Sequence, residues 1–229
     1  MSTPLKLLSS MATREALTEL AVECERALAQ PLLTSAAGGV EVAKRVQGGE
    51  AIDIVVLAAN VIDRLIAEGS LLPGSRIDLV RSGVAIAVPA GAPKPDIGSE
   101  AAVRAAVLAA RAPAWSTGPS GTYLEKLFAG WGILAQIRDR IVVAPPGVPV
   151  ASLLALGQCD LGFQQQSEMR NVPGIQVLGP LPASIQLDTV FSGGVSVHSR
   201  HAAAARAVLQ FMASPATAEL KRRLGLQPA

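Results

Sequence analysis

Leu79-Val80-Arg81-Ser82-Gly83-Val84-Ala85-Ile86-Ala87-Val88 and, much later, Leu187-Asp188-Thr189-Val190-Phe191-Ser192-Gly193-Gly194-Val195-Ser196-Val197 are two long β-prone stretches in a chain of otherwise short strands. The first is interrupted by Arg81-Ser82-Gly83 and the second by Phe191-Ser192-Gly193-Gly194. Between them lies a complete strand–helix series of its own. A chain that builds one lobe, crosses over, builds a second lobe and returns would read this way. The expected lobes are 1–82 plus 191–229, which is discontinuous, and 83–190, which is inserted. Glycine and serine in both crossovers suit hinges that absorb backbone rotation. Either stretch taken alone reads equally well as a bulge in one long strand; their pairing around an inserted series favours the hinge.

Working outward toward the amino terminus, Leu5 to Leu8 predicts a short buried strand, with Ser9 and Ser10 where a helix begins. Leu17, Leu20, Ala21, Cys24 and Leu28 follow at helical spacing, and Pro31 ends that helix. Leu32-Leu33-Thr34 starts a second unit, which turns at Ser35-Ala36-Ala37-Gly38-Gly39 and continues as a helix to Gly48-Gly49. Ile52 to Leu57 is a buried strand whose helix carries Val61, Ile62, Leu65 and Ile66 and stops at Gly69. Inside the insert the spacing predicts helices over 100–111, 120–131 and 149–156, and strands near Trp115, at 141–143 and at 161–163. Helices over 202–212 and 215–224 close the chain. Strands alternating with helices at these lengths indicate parallel sheets covered on both faces, an α/β fold.

The 229 residues are 50% hydrophobic and 17% charged, enough to bury a core in one large or two small domains. Only 3% are aromatic, so no platform exists for stacking bases. Net charge is +2, and the basic residues are scattered apart from Lys44-Arg45 and Lys221-Arg222-Arg223. Nucleic acid is therefore not an expected partner. No apolar run reaches the roughly 18–20 residues of a membrane span. Met1-Ser2-Thr3-Pro4 leads straight into Leu5-Lys6-Leu7-Leu8 without a signal-peptide pattern. The compartment stays open: periplasmic if an export signal has been removed, otherwise cytoplasmic.

Four strand-to-helix turns carry small hydroxyl or glycine residues: Ser9-Ser10, Ser35-Ala36-Ala37-Gly38-Gly39, Thr117-Gly118-Pro119-Ser120-Gly121-Thr122 and Gln164-Gln165-Gln166-Ser167. Each falls at the carboxyl end of an expected parallel strand, where open α/β sheets hold their ligands. First turns of helices carry unpaired N–H groups and partial positive charge, which suits anions. The candidate ligand-binding residues are therefore Ser9, Ser10, Ser35, Ala36, Gly38, Ser120, Gly121, Thr122, Gln164 and Gln165, facing a small anionic ligand. Ordinary capping accounts for any one such turn; four in one two-lobed chain call for more.

Gly118-Pro119-Ser120-Gly121 is followed by no lysine at the phosphate-loop offset, so it favours a small oxyanion over a nucleotide. No acid-plus-histidine metal spacing surrounds His198 and His201, and no G-x-S-x-G elbow exposes a serine nucleophile for Ser10, His198 and Asp188. Cys24 and Cys159 read as buried apolar thiols. No metal site and no cofactor are expected. Glu168 and Tyr123 are the proton carriers nearest the proposed cleft loops.

Leu7-Leu8-Ser9-Ser10-Met11, Ser35-Ala36-Ala37-Gly38, Ile52-Asp53-Ile54-Val55-Val56, Leu65-Ile66-Ala67-Glu68-Gly69, Gln158-Cys159-Asp160-Leu161-Gly162-Phe163 and Phe211-Met212-Ala213-Ser214-Pro215-Ala216 stand in a telling order and spacing. Together they resemble the molybdate-binding-protein-like branch of the type II periplasmic binding proteins, over nearly the whole chain. The resemblance implies two α/β lobes, two crossover hinge strands and an inter-lobe cleft. It also implies binding of a small oxyanion or (poly)carboxylate for an ABC permease. Where that family usually offers a tyrosine after the glycine segment, this chain has Gln164-Gln165-Gln166, which points away from molybdate and tungstate, while the loop with Ser120, Gly121 and Thr122 is richer in donors than a tetrahedral oxyanion needs and suits one or more carboxylates. Members resembling aconitate isomerase imply a second reading: isomerisation of an unsaturated polycarboxylate in the same cleft, with Glu168 as the residue that moves a proton.

Overall fold

The computed structural model describes residues 3–229. The first unit opens with strand β1 (Leu5–Ser10), helix α1 (Arg14–Leu28), β2 (Leu32–Ala37), α2 (Gly39–Gln47), β3 (Ile54–Ala58) and α3 (Ala59–Ala67). Strand β4 (Ile77–Pro89) then carries the chain into the second unit. That unit contains α4 (Glu100–Ala109), β5 (Pro113–Ser116), α5 (Pro119–Gly130), α6 (Leu134–Ile137), β6 (Val142–Ala144), α7 (Val150–Ala155), β7 (Leu161–Gln165), α8 (Gln166–Met169) and β8 (Ile175–Pro180). Strand β9 (Asp188–Val195) returns, followed by α9 (Ala202–Ala213), α10 (Ala218–Arg223) and β10 (Gln227–Pro228). The compact units are the residues up to Ser82 with Thr189–Ala229, and Gly83–Asp188.

In the first unit the strands lie in the order β2-β1-β3-β9-β4, with β10 paired to β4. Strands β1, β2 and β3 are parallel, and β9 runs antiparallel to β3. Alternating side chains divide between two cores, as the two-residue period of a strand requires. Leu7, Ile54 and Val56 pack with Leu17, Leu20, Val208, Leu209 and Met212, whereas Leu8, Val55 and Leu57 pack with Val42, Val46, Ile62 and Leu65. A sheet covered by helices on both faces needs strands that are apolar throughout, and β3 is buried at every position.

The second unit repeats the plan with β4-β7-β5-β6, β5 being parallel to both neighbours and β7 antiparallel to β4. Strand β8 pairs antiparallel with β4. One face buries Val84, Ile86, Trp115, Phe128 and Phe163, with Phe128 edge-on to Trp115 and to Phe163. The other is lined by Ala85, Ala87, Ala114 and Ala144, small residues that let α7 come close. At Gly162 an added Cβ would lie 2.7 Å from Leu154 Cδ1 and 2.8 Å from Val150 Cγ1, so glycine is required by that approach.

Several expected boundaries shift. Neither long stretch is interrupted: β4 is continuous for 13 residues and changes partners along its length, from β10 at Val80 and Arg81 to β7 and β8 beyond Gly83. Phe191, Ser192, Gly193 and Gly194 are ordinary ladder residues opposite Ala58, Leu57, Val56 and Val55. Their glycines serve packing, since a Cβ at Gly193 would overlap Leu209 and one at Gly194 would lie 2.8 Å from Leu71 Cδ1. The helix expected over 215–224 is a 3₁₀ turn at Pro215–Thr217 followed by α10. Strand β8 was not anticipated, because Ile175-Gln176-Val177-Leu178-Gly179-Pro180 ends in residues that usually break strands. Among the described residues no helix is long and apolar enough to cross a membrane.

Candidate functional site

Ser9 and Ser10 are the last two residues of β1 rather than the start of a helix; a 3₁₀ turn at Met11–Thr13 separates them from α1. Ser35, Ala36 and Ala37 likewise continue β2, and the turn is reduced to Gly38. The tertiary ladder explains both extensions, since Leu8 pairs with Ser35, Ser9 with Ala36 and Ser10 with Ala37. The fold thus brings the two serine segments side by side at the carboxyl edge of the first unit's sheet.

Their hydroxyls are not equivalent. Ser35 Oγ donates to the carbonyl of Leu7 (3.3 Å), and Ser9 Oγ to the carbonyl of Ser10 (3.2 Å). Ser10 Oγ is buried with no hydrogen-bond partner among the described residues. A buried hydroxyl left unpaired costs roughly 1–3 kcal/mol, which a ligand atom would recover. Beside it begins α2, whose N-cap Gly38 supplies no side chain to the free N–H groups of the first turn.

In the second unit, Ser120, Gly121 and Thr122 form the first turn of α5, which follows β5 directly and whose N-cap is Gly118. Pro119 occupies its first position, where a missing N–H is harmless. Ser116 Oγ accepts from Gly118 N (3.3 Å) and shapes the turn. Gly121 has a packing role. A Cβ there would fall inside the Ser116 carbonyl oxygen and 2.8 Å from its carbon. Ser120 is buried at 1% exposure.

Gln164 and Gln165 are the last residues of β7, not a turn, and both are buried. Gln164 Oε1 accepts from the backbone N–H of Val150 (2.8 Å), while its Nε2 donates to Glu168 Oε2 (2.8 Å). Sequence reasoning missed this linkage. Val150 is fourteen residues from Gln164, on a different element, and only the packing of α7 on β7 joins them.

Both carboxyl edges lie near the points where the chain passes between units. In the first, Ala58 at the end of β3 pairs with Phe191, two residues beyond the passage at Thr189. In the second, Gln165 at the end of β7 pairs with Val84, one residue beyond the passage at Gly83.

Other candidates are otherwise engaged. Tyr123 donates its hydroxyl to the Ile185 carbonyl (2.8 Å), and burial raises its pKa, so it is an anchor and not a ready proton carrier. Burial pushes the Cys24 and Cys159 thiols up to about 12, as expected of inert apolar residues. Among the described residues no group of histidine, cysteine or carboxylate side chains is placed to hold a metal.

The profile of a family described as bacterial extracellular solute-binding protein matches residues 5–227. Aconitate isomerase from a Pseudomonas species is 35% identical over 231 aligned positions, covering 99% of this chain and 88% of that protein. Among solved structures, the periplasmic molybdate-binding protein of Azotobacter vinelandii superposes with a TM-score of 0.80 at 20% identity, over 97% of this chain and 98% of that one. The tungstate-binding protein of Desulfovibrio alaskensis gives 0.67 at 18% identity, over 95% and 93%. The fold, the resemblance read in the serine and glycine segments, and a match running from Leu5 to Gln227 agree. This chain belongs to the bacterial extracellular solute-binding protein family, and its fold is that of the type II periplasmic binding proteins.

Proposed function

We propose that this chain binds a small oxyanion or polycarboxylate at the carboxyl edges of its strands, with a polycarboxylate as the better fit. The observation that carries the reading is Ser10 Oγ, buried and unpartnered at a carboxyl edge beside the uncapped first turn of α2. The candidate ligand-binding residues are Ser9, Ser10, Ser35, Ala36 and Gly38 in the first unit and Ser120, Gly121, Thr122, Gln164 and Gln165 in the second. Support comes from the pairing of both edges with residues next to the passages at Thr189 and Gly83. Hydroxyls and helix N–H groups make charge-assisted hydrogen bonds to each anionic group. As in other solute-binding proteins, the loaded form would be delivered to an ABC permease.

A second reading, isomerisation of an unsaturated polycarboxylate, is favoured by the 35% identical relative and by the fixed position of Glu168. Its carboxylate would take a proton from one methylene carbon of the bound acid. The double-bond electrons then shift along three carbons, and the same proton returns to the far carbon, so nothing is oxidised or reduced. The anchors hold the carboxylates and the developing charge.

Calorimetry and thermal shift with molybdate, tungstate, sulfate, phosphate, citrate and both aconitates test the first reading. A site filled at a hundred times its Kd stabilises the fold by about 2.7 kcal/mol. Silence toward every anion would refute it. Incubation with cis- or trans-aconitate, followed by chromatography, tests the second. Recovery of the acid unchanged removes the isomerase and leaves the binder.

A further inference from the structure

Two hydroxyl residues stand in cap positions after β1, and neither caps. Ser10 precedes the 3₁₀ turn at Met11–Thr13 and Thr13 precedes α1, yet among the described residues neither side chain takes an N–H of the turn that follows. Serine and threonine are preferred there because that bond satisfies a donor the helix leaves free. Thr13, 1% exposed, sends its hydroxyl backwards instead: Oγ1 donates to the carbonyl of Ser10 (3.2 Å). Ser9 Oγ donates to the same carbonyl (3.2 Å). A carbonyl that already accepts two bonds offers little to a third donor. The Ser10 hydroxyl, buried and unpaired, therefore keeps its proton for an acceptor from outside the turn. Back-bonding of threonine to a carbonyl three residues earlier is an ordinary local habit. What sets Thr13 apart is the combination of a forgone cap, full burial and an unpaired hydroxyl on the residue it grips.

We propose that Thr13 is a positioning residue for anion binding: together with Ser9 it holds the Ser10 carbonyl and so keeps the Ser10 hydroxyl off the helix cap and available as a donor. This rests on the reading that Ser10 Oγ meets the ligand. Thr13 acts through Ser10 alone, since its own hydroxyl proton is committed to the carbonyl. Once that bond is lost, the turn is free to take the usual cap, in which Ser10 Oγ swings toward the N–H of Ala12 or Thr13 and away from a ligand. Thr13 thus gives up a bond that would favour α1 in order to hold a donor in place for the anion.

The test is calorimetry with molybdate, sulfate, citrate and trans-aconitate on the wild type, Thr13→Val, Ser10→Ala and the double variant, with Thr13→Ser beside them. For each anion that the wild type binds, Thr13→Val should lower affinity about tenfold, within the range of coupling between residues of one hydrogen-bonded network. In the Ser10→Ala background the same substitution should change affinity less than about twofold, because nothing is left to position. Thr13→Ser, which keeps the donor, should bind as the wild type does. Melting curves without ligand show which variants are folded, and Thr13→Ala stands in should the valine variant not fold. Where Ser10→Ala binds too weakly to measure, the contrast between Thr13→Val and Thr13→Ser decides. Equal losses in both backgrounds, no loss in Thr13→Val, or a loss that Thr13→Ser shares would overturn the positioning role and leave the anion site standing. If Ser10→Ala binds as the wild type does, or if the wild type binds none of the four, the reading of Ser10 fails first and the role of Thr13 falls with it.

Discussion

Lys221 lies in α10 with 0% exposure, and its Nζ has no hydrogen-bond partner among the described residues. Burial pushes its pKa down from 10.5 to about 8. At 1.36 kcal/mol per pH unit, that depression corresponds to about 3 kcal/mol against the charged form in the folded state. The folded value is the lower one, so the penalty is carried in full below pH 8, where both states are protonated. Between about 8 and 10.5 the unfolded chain binds a proton that the native one does not, and stability rises with pH; above 10.5 the penalty is gone. Lys221→Met keeps most of the side-chain volume and removes the charge. The variant should therefore gain up to about 3 kcal/mol at pH 7, or roughly 6–12 °C in Tm for a chain of this size. The gain should shrink to nearly nothing by pH 10.5. Paired thermal melts of wild type and variant across pH 7–10.5 measure it, and other groups that titrate in that range cancel in the difference. A gain that does not vary with pH, or a loss at pH 7, would refute the reasoning and mean that the ammonium is compensated.

Ser10→Ala removes an unpartnered hydroxyl, so the ligand-free protein should melt no lower than wild type, while anion affinity should fall about ten- to a hundredfold. Ser35→Ala, by contrast, should weaken binding and also lower stability by about 1 kcal/mol, because its bond to the Leu7 carbonyl is lost; chemical denaturation separates the two effects. Gly121→Ala should be strongly destabilising, since the added methyl meets the Ser116 backbone and not a movable side chain; a Tm within a degree of wild type would contradict the packing of α5. If the acid is turned over, Glu168→Gln should slow interconversion by about 10²–10⁴-fold while the acid still binds, as read by chromatography and calorimetry on one preparation.

The architecture was legible early because burial imposes its period on the residues. Ile54-Val55-Val56-Leu57 is short, β-branched and apolar throughout, which suits a strand covered on both faces, and Leu17, Leu20 and Cys24 keep a helical interval. Three of the four expected turns proved to be strand residues, Ser9 and Ser10, Ser35 to Ala37, and Gln164 and Gln165, because the tertiary ladders extend those strands. What the glycines of the second stretch make room for was not legible, because a sequence does not show that Leu209 and Leu71 need the space. Nor could it tell one serine from another. Whether Ser9, Ser10 or Ser35 has a free hydroxyl depends on which carbonyl the neighbouring strand brings within reach. The same holds for Gln164, whose amide is oriented by an N–H fourteen residues away, and for Lys221, whose burial its basic neighbours do not show. Local sequence determines which segments are strands and helices, because backbone geometry and burial act residue by residue. Only the tertiary structure decides which polar atoms are paired and which are left for a ligand, because hydrogen bonding and desolvation depend on atoms that the chain brings together from a distance.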